Sequence, residues 1–303
     1  MSTNIPQVRY GLIGGSGTWG GRFPEDLDRS DVKLVDVYNR GFDTPFGRTV
    51  PFKLLQISDQ HVLRVAFHGI PGLVSKSPVP PWTAAQQVAW CFMNAGVRRV
   101  IVEGSVGGVQ CPEGTEGVLE PWNIVIPDDF MMLFPPQPVL TNRSETELNS
   151  GRNVFARMGG PFCDIVRKCL HEAACDEKAF PRVYNRGVYA CTRPDRYETA
   201  AEIYAYKRLG AHVVGHTLGY EAPLMRKLGI CLGSLNIVSN VAEGVDWSTE
   251  TPGAQRQFYS ECFPIVSNVV VNALIQIISA SEELCRCGSY EMHSHSDLPV
   301  SDA

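Results

Sequence analysis

Residues Tyr10–Gly17 read YGLIGGSG, an apolar strand that runs straight into a turn of glycines and serine. Such a turn lets backbone N–H groups and the Ser16 hydroxyl face an anion without side-chain obstruction. Taken alone it has two readings, an anion cradle or one of the glycine-rich strand-to-loop turns common in α/β proteins. It is a poor dinucleotide fingerprint, because GGSG lacks the third glycine at its offset and no acidic residue ends a clear second strand. An NAD-binding Rossmann module is therefore the cross-class alternative. A second reactive set lies near the end of the chain, where Cys285 and Cys287 precede His293 and His295. C-x-C with H-x-H in a polar tail matches structural zinc spacing only loosely. The pair is read as two free thiols, and no metal is expected.

The elements that must position these residues alternate between strand and helix, which argues for a mixed α/β sheet. Strands are expected at Val8–Ile13, Val62–Phe67, Arg99–Val102, Asn123–Pro127, Gly187–Thr192, Val213–Val214 and Cys231–Val238. Helical patterns cover Trp82–Ala95 (closed by Gly96), Pro161–Cys175 and Tyr197–Leu209; Pro223–Leu228 continues the alternation. The apolar stretch Phe263–Ala280 is interrupted by Pro264, Ser267, Asn268, Asn272 and Gln276, so it reads as a buried amphipathic helix, not a membrane span. Residues 1–285 form one domain, with no internal repeat and no dividing linker, and 286–303 form a polar, disordered tail. Asn142–Asn153 is polar and reads as a surface loop.

Composition narrows the function classes. The chain has 303 residues, 44% of them hydrophobic, enough for one large α/β domain. A net charge of −5 without a long basic run disfavours nucleic acid as a partner. MSTNIPQVRYG lacks a charged-then-apolar signal region and the ten cysteines are scattered, so a cytoplasmic protein with reduced thiols is expected.

Together with Asp43–Gly47, DTPFG, the GGSG turn resembles the methylthioadenosine phosphorylase branch of the purine nucleoside phosphorylases, where GGTG or GGSG begins the phosphate loop. Further segments fit from about residue 8 to 280. Val100–Val102 with Gly104, Ser105 and the following glycines resembles the strand and small-residue segment beside ribose and phosphate. Asn123–Phe130 resembles GDIVIIDQF, Met158–Cys163 resembles MAEPFC, and Arg196–Glu202 resembles a helix start that includes Tyr197. Glu221 and Arg226–Cys231 resemble the glutamate of TVPE and the KEAGIC segment.

The resemblance implies a single-domain α/β enzyme that cleaves a purine nucleoside with phosphate as co-substrate and no cofactor, assembled as a homotrimer. It puts Ser16, His68 and Thr217 at phosphate, Glu221 at ribose, Arg196 and Tyr197 near the substrate, and Glu198 with Asn240 at the base. Glu198 falls where 6-oxopurine enzymes accept N1–H, and Asn240 where their amide faces N7 and O6; adenosine-type members carry Ser and Asp there. Read without the family, Glu198 is a first-turn helix carboxylate and Asn240 a strand-end turn residue.

Several positions depart from the pattern. Phe67 replaces the arginine of R-H-G, Gly72 stands where a second histidine falls, and His216 replaces a methionine under the ribose. Pro194-Asp195, after Arg193, stands at the base loop, and Ala242 where adenosine-type enzymes carry a second Asp. Arg193, Arg196 or His216 could refill the phosphate site. Alternatively water attacks, with Glu221 or His216 as general base, or the chain binds nucleoside without turnover. His216 is otherwise a satisfied core histidine. Phe155 occupies the place of a histidine lent by the neighbouring subunit, and Phe258 and Cys262 fall near the 5′ pocket, which leans to a 5′-methylthio sugar. Methylthioinosine satisfies both specificity hints.

Overall fold

The computed structural model describes residues 5–68, 78–112, 117–133, 157–245, 253–280, 285 and 287. The apolar segment Tyr10–Gly14 (β1) lies at the centre of an 11-stranded mixed sheet, paired in parallel with Gln60–Ala66 (β6) and Arg99–Gly108 (β7). On one side the sheet continues through Phe52–Ile57 (β5) to Val32–Tyr38 (β2), both joined antiparallel. On the other, Cys231–Val241 (β13) runs parallel to β7, followed by Ile124–Val125 (β8) and Val183–Tyr184 (β10). A branch of Val213–Gly215 (β12), Val188–Cys191 (β11) and Asp129–Met131 (β9) attaches to the far end of β7. The DTPFG segment is a separate small hairpin, Asp43–Thr44 (β3) with Gly47–Arg48 (β4).

The branch creates an opening in the sheet. β1 reaches β7 only as far as Ile13 opposite Val102, and β12 takes over the same side at Val214 opposite Gly107. Between them, Glu103–Val106 pair with β13 on one side only. The small-residue segment Gly104–Gly108, beyond the expected strand Arg99–Val102, is thus a continuation of that strand, because β13 and β12 supply ladder partners for it. Ligands of open α/β sheets bind in crevices outside the carboxyl ends of strands where connections diverge. This gap has that geometry.

Two helix layers cover the sheet. Pro81–Ala95 (α1) starts with proline in its first turn and ends at Gly96, whose φ of 76° and N–H bonds to Met93 and Phe92 carbonyls close it. It shares one apolar layer with Leu218–Lys227 (α4), built on Phe52, Phe92, Val100, Leu218 and Met225. Gly11 permits the approach of α1 to β1, since a Cβ there would stand 2.9 Å from the Phe92 ring. The opposite layer holds Asp164–Asp176 (α2) and Ala254–Ser279 (α5), around Leu12, Ile101, Leu170, Val266 and Val270. Alone among the described helices, α5 is long and apolar enough to cross a membrane by length and composition. Its buried residues pack into this layer, as expected of a core helix. Ala200–Arg208 (α3) covers the branch through Ile203 and Tyr206. Of the expected tail, Cys287 packs against the second layer; the remainder, with His293 and His295, lies outside the described residues, as do Gly72, Asn142–Asn153 and Phe155.

Candidate active site

The GGSG turn follows β1 directly and faces the opening in β7. The Gly15 N–H donates to Glu103 Oε1 at 2.5 Å, and the Thr18 hydroxyl donates to the same oxygen at 2.6 Å. Among the described residues no partner takes the N–H of Ser16 or Gly17, so these two remain for an anion. Ser16 Oγ bonds to Ser105 Oγ and accepts the Ser105 N–H at 2.9 Å, one of the groups left without a strand partner. Ser105 Oγ in turn meets the Tyr259 hydroxyl at 3.0 Å, and Tyr259 also bonds to Ser239. Ser239 Oγ donates to Asn240 Oδ1 at 2.8 Å. A chain of hydroxyls thereby joins the turn to Asn240.

A buried ionic layer supports the turn from below. Arg64, 8% exposed on β6, donates to Thr18 Oγ1 at 3.2 Å and lies 4.8 Å from the Phe23 ring centroid. Burial lowers its guanidinium to about 10, against the opposing attraction of Glu103. Burial also raises the Glu103 carboxyl, although Thr18, Gly15, His68 and Arg64 all favour its charge. Gly15 is indispensable here, since a Cβ would stand 2.2 Å from the Glu103 carbonyl oxygen and 2.5 Å from His68 Nδ1.

His68 follows β6 and reaches across to the first turn of α4, where its Nε2 bonds to Glu221 Oε1 at 2.5 Å. Both are buried, 8% and 0% exposed. Burial works against the imidazolium, but the Glu221 charge and hydrogen bond outweigh it and raise the His68 pKa. The remaining nitrogen, Nδ1, faces the glycine turn. Phe67 is 2% exposed in the core and meets His68 edge-on at 4.8 Å. Its ring therefore fills packing space beside the site. Thr217 precedes α4, and its hydroxyl makes no capping bond to the helix.

The base end is built by the branch. Glu198, 8% exposed, accepts from the Thr192 hydroxyl and stands 3.5 Å from His216 Nε2, both through Oε1. Burial disfavours its charge, but His216 and Thr192 prevail and hold the carboxyl below its ordinary range. Asn240 and Val214 are both paired with Gly107, from opposite sides. Two strand spacings, about 10 Å, separate those backbones. A bulge between Val238 and Asn240 re-aims the asparagine.

The fold therefore brings Ser16, His68, Gly104, Ser105, Thr217 and Glu221 to the opening, with Glu198, His216 and Asn240 on the branch side. Arg196 and Tyr197 turn their side chains to the surface. Arg196 is held outward by Glu202 at 2.7 Å, and Tyr197 is 57% exposed with its hydroxyl accepting from Gln255. Arg193 is likewise paired at the surface with Asp195, and His216 meets Glu198, so none of the three refills the phosphate end. Cys262 lies behind the turn, its thiol 3.5 Å from the Gly17 carbonyl oxygen. Arg64, Glu103 and Tyr259, which the sequence did not single out, bond into the same cluster.

A family model described as the phosphorylase superfamily matches residues 9–278. A probable 6-oxopurine nucleoside phosphorylase of Korarchaeum cryptofilum is 30% identical over 92% of this chain and 97% of its own. A probable S-methyl-5′-thioinosine phosphorylase of Thermodesulfovibrio yellowstonii is 30% identical over 80% of this chain and 81% of its own. Among solved structures, methylthioadenosine phosphorylase from Schistosoma mansoni in complex with tubercidin superposes with a TM-score of 0.68. That match has 21% identity and covers 91% of this chain and 93% of the other, which establishes a shared fold.

Proposed function

The chain belongs to the phosphorylase superfamily, and from that premise we propose that it cleaves a 6-oxopurine nucleoside with phosphate, giving free base and sugar 1-phosphate. The carrying observation is the buried Glu198 carboxylate, held below its ordinary range against burial by His216 and Thr192, both of which meet Oε1. An ionised carboxylate only accepts hydrogen bonds, so it suits the N1–H of a 6-oxopurine and repels the N1 lone pair of adenine. The Asn240 amide is the group to meet the other edge. As the C–N bond breaks and charge moves onto the ring, these contacts strengthen, which is where they accelerate the reaction.

At the sugar end, phosphate attacks C1′ from the glycine turn. His68, its Nε2 bonded to Glu221, turns Nδ1 toward that turn, where its protonated form offers an N–H to the anion. This supplies the cation that Phe67 does not, beside the Ser16 and Thr217 hydroxyls. Glu221 keeps its second oxygen, Oε2, without a protein partner in the interior, a place for a ribose hydroxyl. The aromatic edge of Trp19 and Tyr259, with centroids 5.6 Å apart, supports a 5′-methylthio substituent. A homotrimeric, cytoplasmic enzyme of purine salvage is the assembly and setting that fit this reading.

The test is base release from inosine, methylthioinosine, adenosine and methylthioadenosine, each with and without phosphate. The proposal expects release from the two 6-oxopurine nucleosides only when phosphate is present, with sugar 1-phosphate as co-product. Release independent of phosphate would overturn it in favour of hydrolysis, and a preference for the 6-amino substrates would overturn the base assignment.

A further inference from the structure

Four of the ten cysteines converge at the opposite end of β13 from the opening, some 30 Å from Asn240 by strand rise. Cys231 opens β13. Cys163 sits immediately before α2, where its N–H donates to the Leu232 carbonyl at 2.7 Å and so fixes it beside Cys231. Cys285 and Cys287 complete the group from the C-terminal segment. Cys285 Sγ is 3.1 Å from Cys231 Sγ and 3.6 Å from Cys163 Sγ, and all four sulfurs lie within 4.8 Å of one another.

We propose that Cys163, Cys231, Cys285 and Cys287 bind one zinc ion as a four-thiolate structural site that anchors the C-terminal segment to the sheet. Zinc holds four thiolates tetrahedrally at about 2.3 Å, which puts neighbouring sulfurs about 3.8 Å apart. The observed separations need only small adjustments to reach that geometry. A four-sulfur donor set of this kind selects zinc over hard cations. The surroundings suit bound thiolates. The Cys287 N–H donates to Cys285 Sγ at 3.3 Å, a second-layer bond of the sort that tunes metal ligands. Cys163 stands at the positive end of α2, where thiolates are favoured. Arg99, the register partner of Cys231 and 3% exposed, spends its guanidinium on the Ile277 and Ala280 carbonyls and so holds the end of α5 beside this end of the sheet. Binding releases the thiol protons and involves no oxidation, so the site forms in a reducing compartment. The sequence reading of Cys285 and Cys287 as free thiols saw half of the set; Cys163 and Cys231 join it only through the fold.

The test uses the full chain purified under reducing conditions without chelator. Elemental analysis is expected to give one zinc per chain. Cobalt(II) exchanged into the site should show thiolate-to-metal charge transfer with intense d–d bands of a tetrahedral sulfur environment. Cys285→Ser and Cys163→Ser should each lose the stoichiometric metal, while Cys175→Ser, an exposed cysteine outside the cluster, should keep it. Should a cysteine variant fail to fold, the cobalt spectrum of the unaltered chain still decides. Absence of stoichiometric zinc together with no tetrahedral cobalt spectrum would overturn the proposal. So would a mass two hydrogens lighter per bridge in protein kept free of oxygen, which would identify disulfides instead.

Discussion

Glu198→Gln isolates the base assignment, because it removes the charge while keeping the shape. The side chain is 8% exposed and its Oε1 accepts from Thr192. A glutamine carbonyl can still accept that bond, so the loss of global stability should stay within about 1 kcal/mol. Toward substrate the change is larger. A hydrogen bond to a charged group contributes about 1.5–3 kcal/mol, and about 1.4 kcal/mol is a factor of ten, so kcat/KM for inosine should fall by about 10- to 150-fold. Adenosine should respond differently. The new amide N–H can donate to adenine N1, so its kcat/KM should rise or fall far less, and the inosine-to-adenosine ratio should collapse. The assay is initial-rate phosphorolysis of both nucleosides at saturating phosphate, with thermal unfolding as a control. An unchanged ratio in a stable variant would refute the assignment of Glu198 to the purine edge.

Other consequences follow from the opposite end of the site. The folded His68 pKa is raised above 6.5 by Glu221. The stability its protonation adds is therefore complete below about pH 6.5 and disappears as pH rises through the folded pKa. Unfolding free energy measured across that range should lose this slope in His68→Gln, and the phosphate KM of the unaltered enzyme should climb over the same alkaline window. Phe67→Arg, which restores the family's residue, should not tighten phosphate: the ring is 2% exposed in the core, and a charge placed there costs about 3 kcal/mol or more. A lower melting temperature without a lower phosphate KM is expected, and a lower KM would mean the side chain finds the anion. Arg196→Ala removes outward contacts with Glu202 and with the Tyr197 carbonyl. Exposed pairs are worth about 0.2–1 kcal/mol, so kcat/KM should stay within about twofold of the parent, and a tenfold loss would return Arg196 to the substrate.

Much of this arrangement was legible in the chain. GGSG at the end of an apolar strand announces a turn where no Cβ fits, and Gly15 between the Glu103 carbonyl and His68 is the physical reason. Glu198 and Asn240 are candidates through the family pattern rather than through any local signal. Arg64 and Glu103 did leave a signal. Each is a charge inside a strand whose neighbours, Leu63, Val65 and Val102, are all buried, and a strand covered on both faces tolerates a charge only with a partner. The outward turn of Arg196 has its cause in Thr199-x-x-Glu202, a capping box: Glu202 closes the start of α3 and draws the arginine to itself. Tyr259 was hidden in the pattern of a buried helix. No sequence spacing links Cys163 with Cys231 or either with Cys285, since only the packing of α2 and the C-terminal segment against β13 makes them neighbours.

The opening beside β7 is measured in rungs. Four residues, Glu103–Val106, separate the last pairing with β1 from the first with β12, a length of about 13 Å at 3.3 Å per residue. Extending either flanking strand by one residue would narrow the mouth by a quarter and recruit another backbone group of Glu103–Val106 into the ladder. If the opening holds the nucleoside as proposed, strand termination alone sets how much room it has, with every acid, base and hydroxyl of the site left in place.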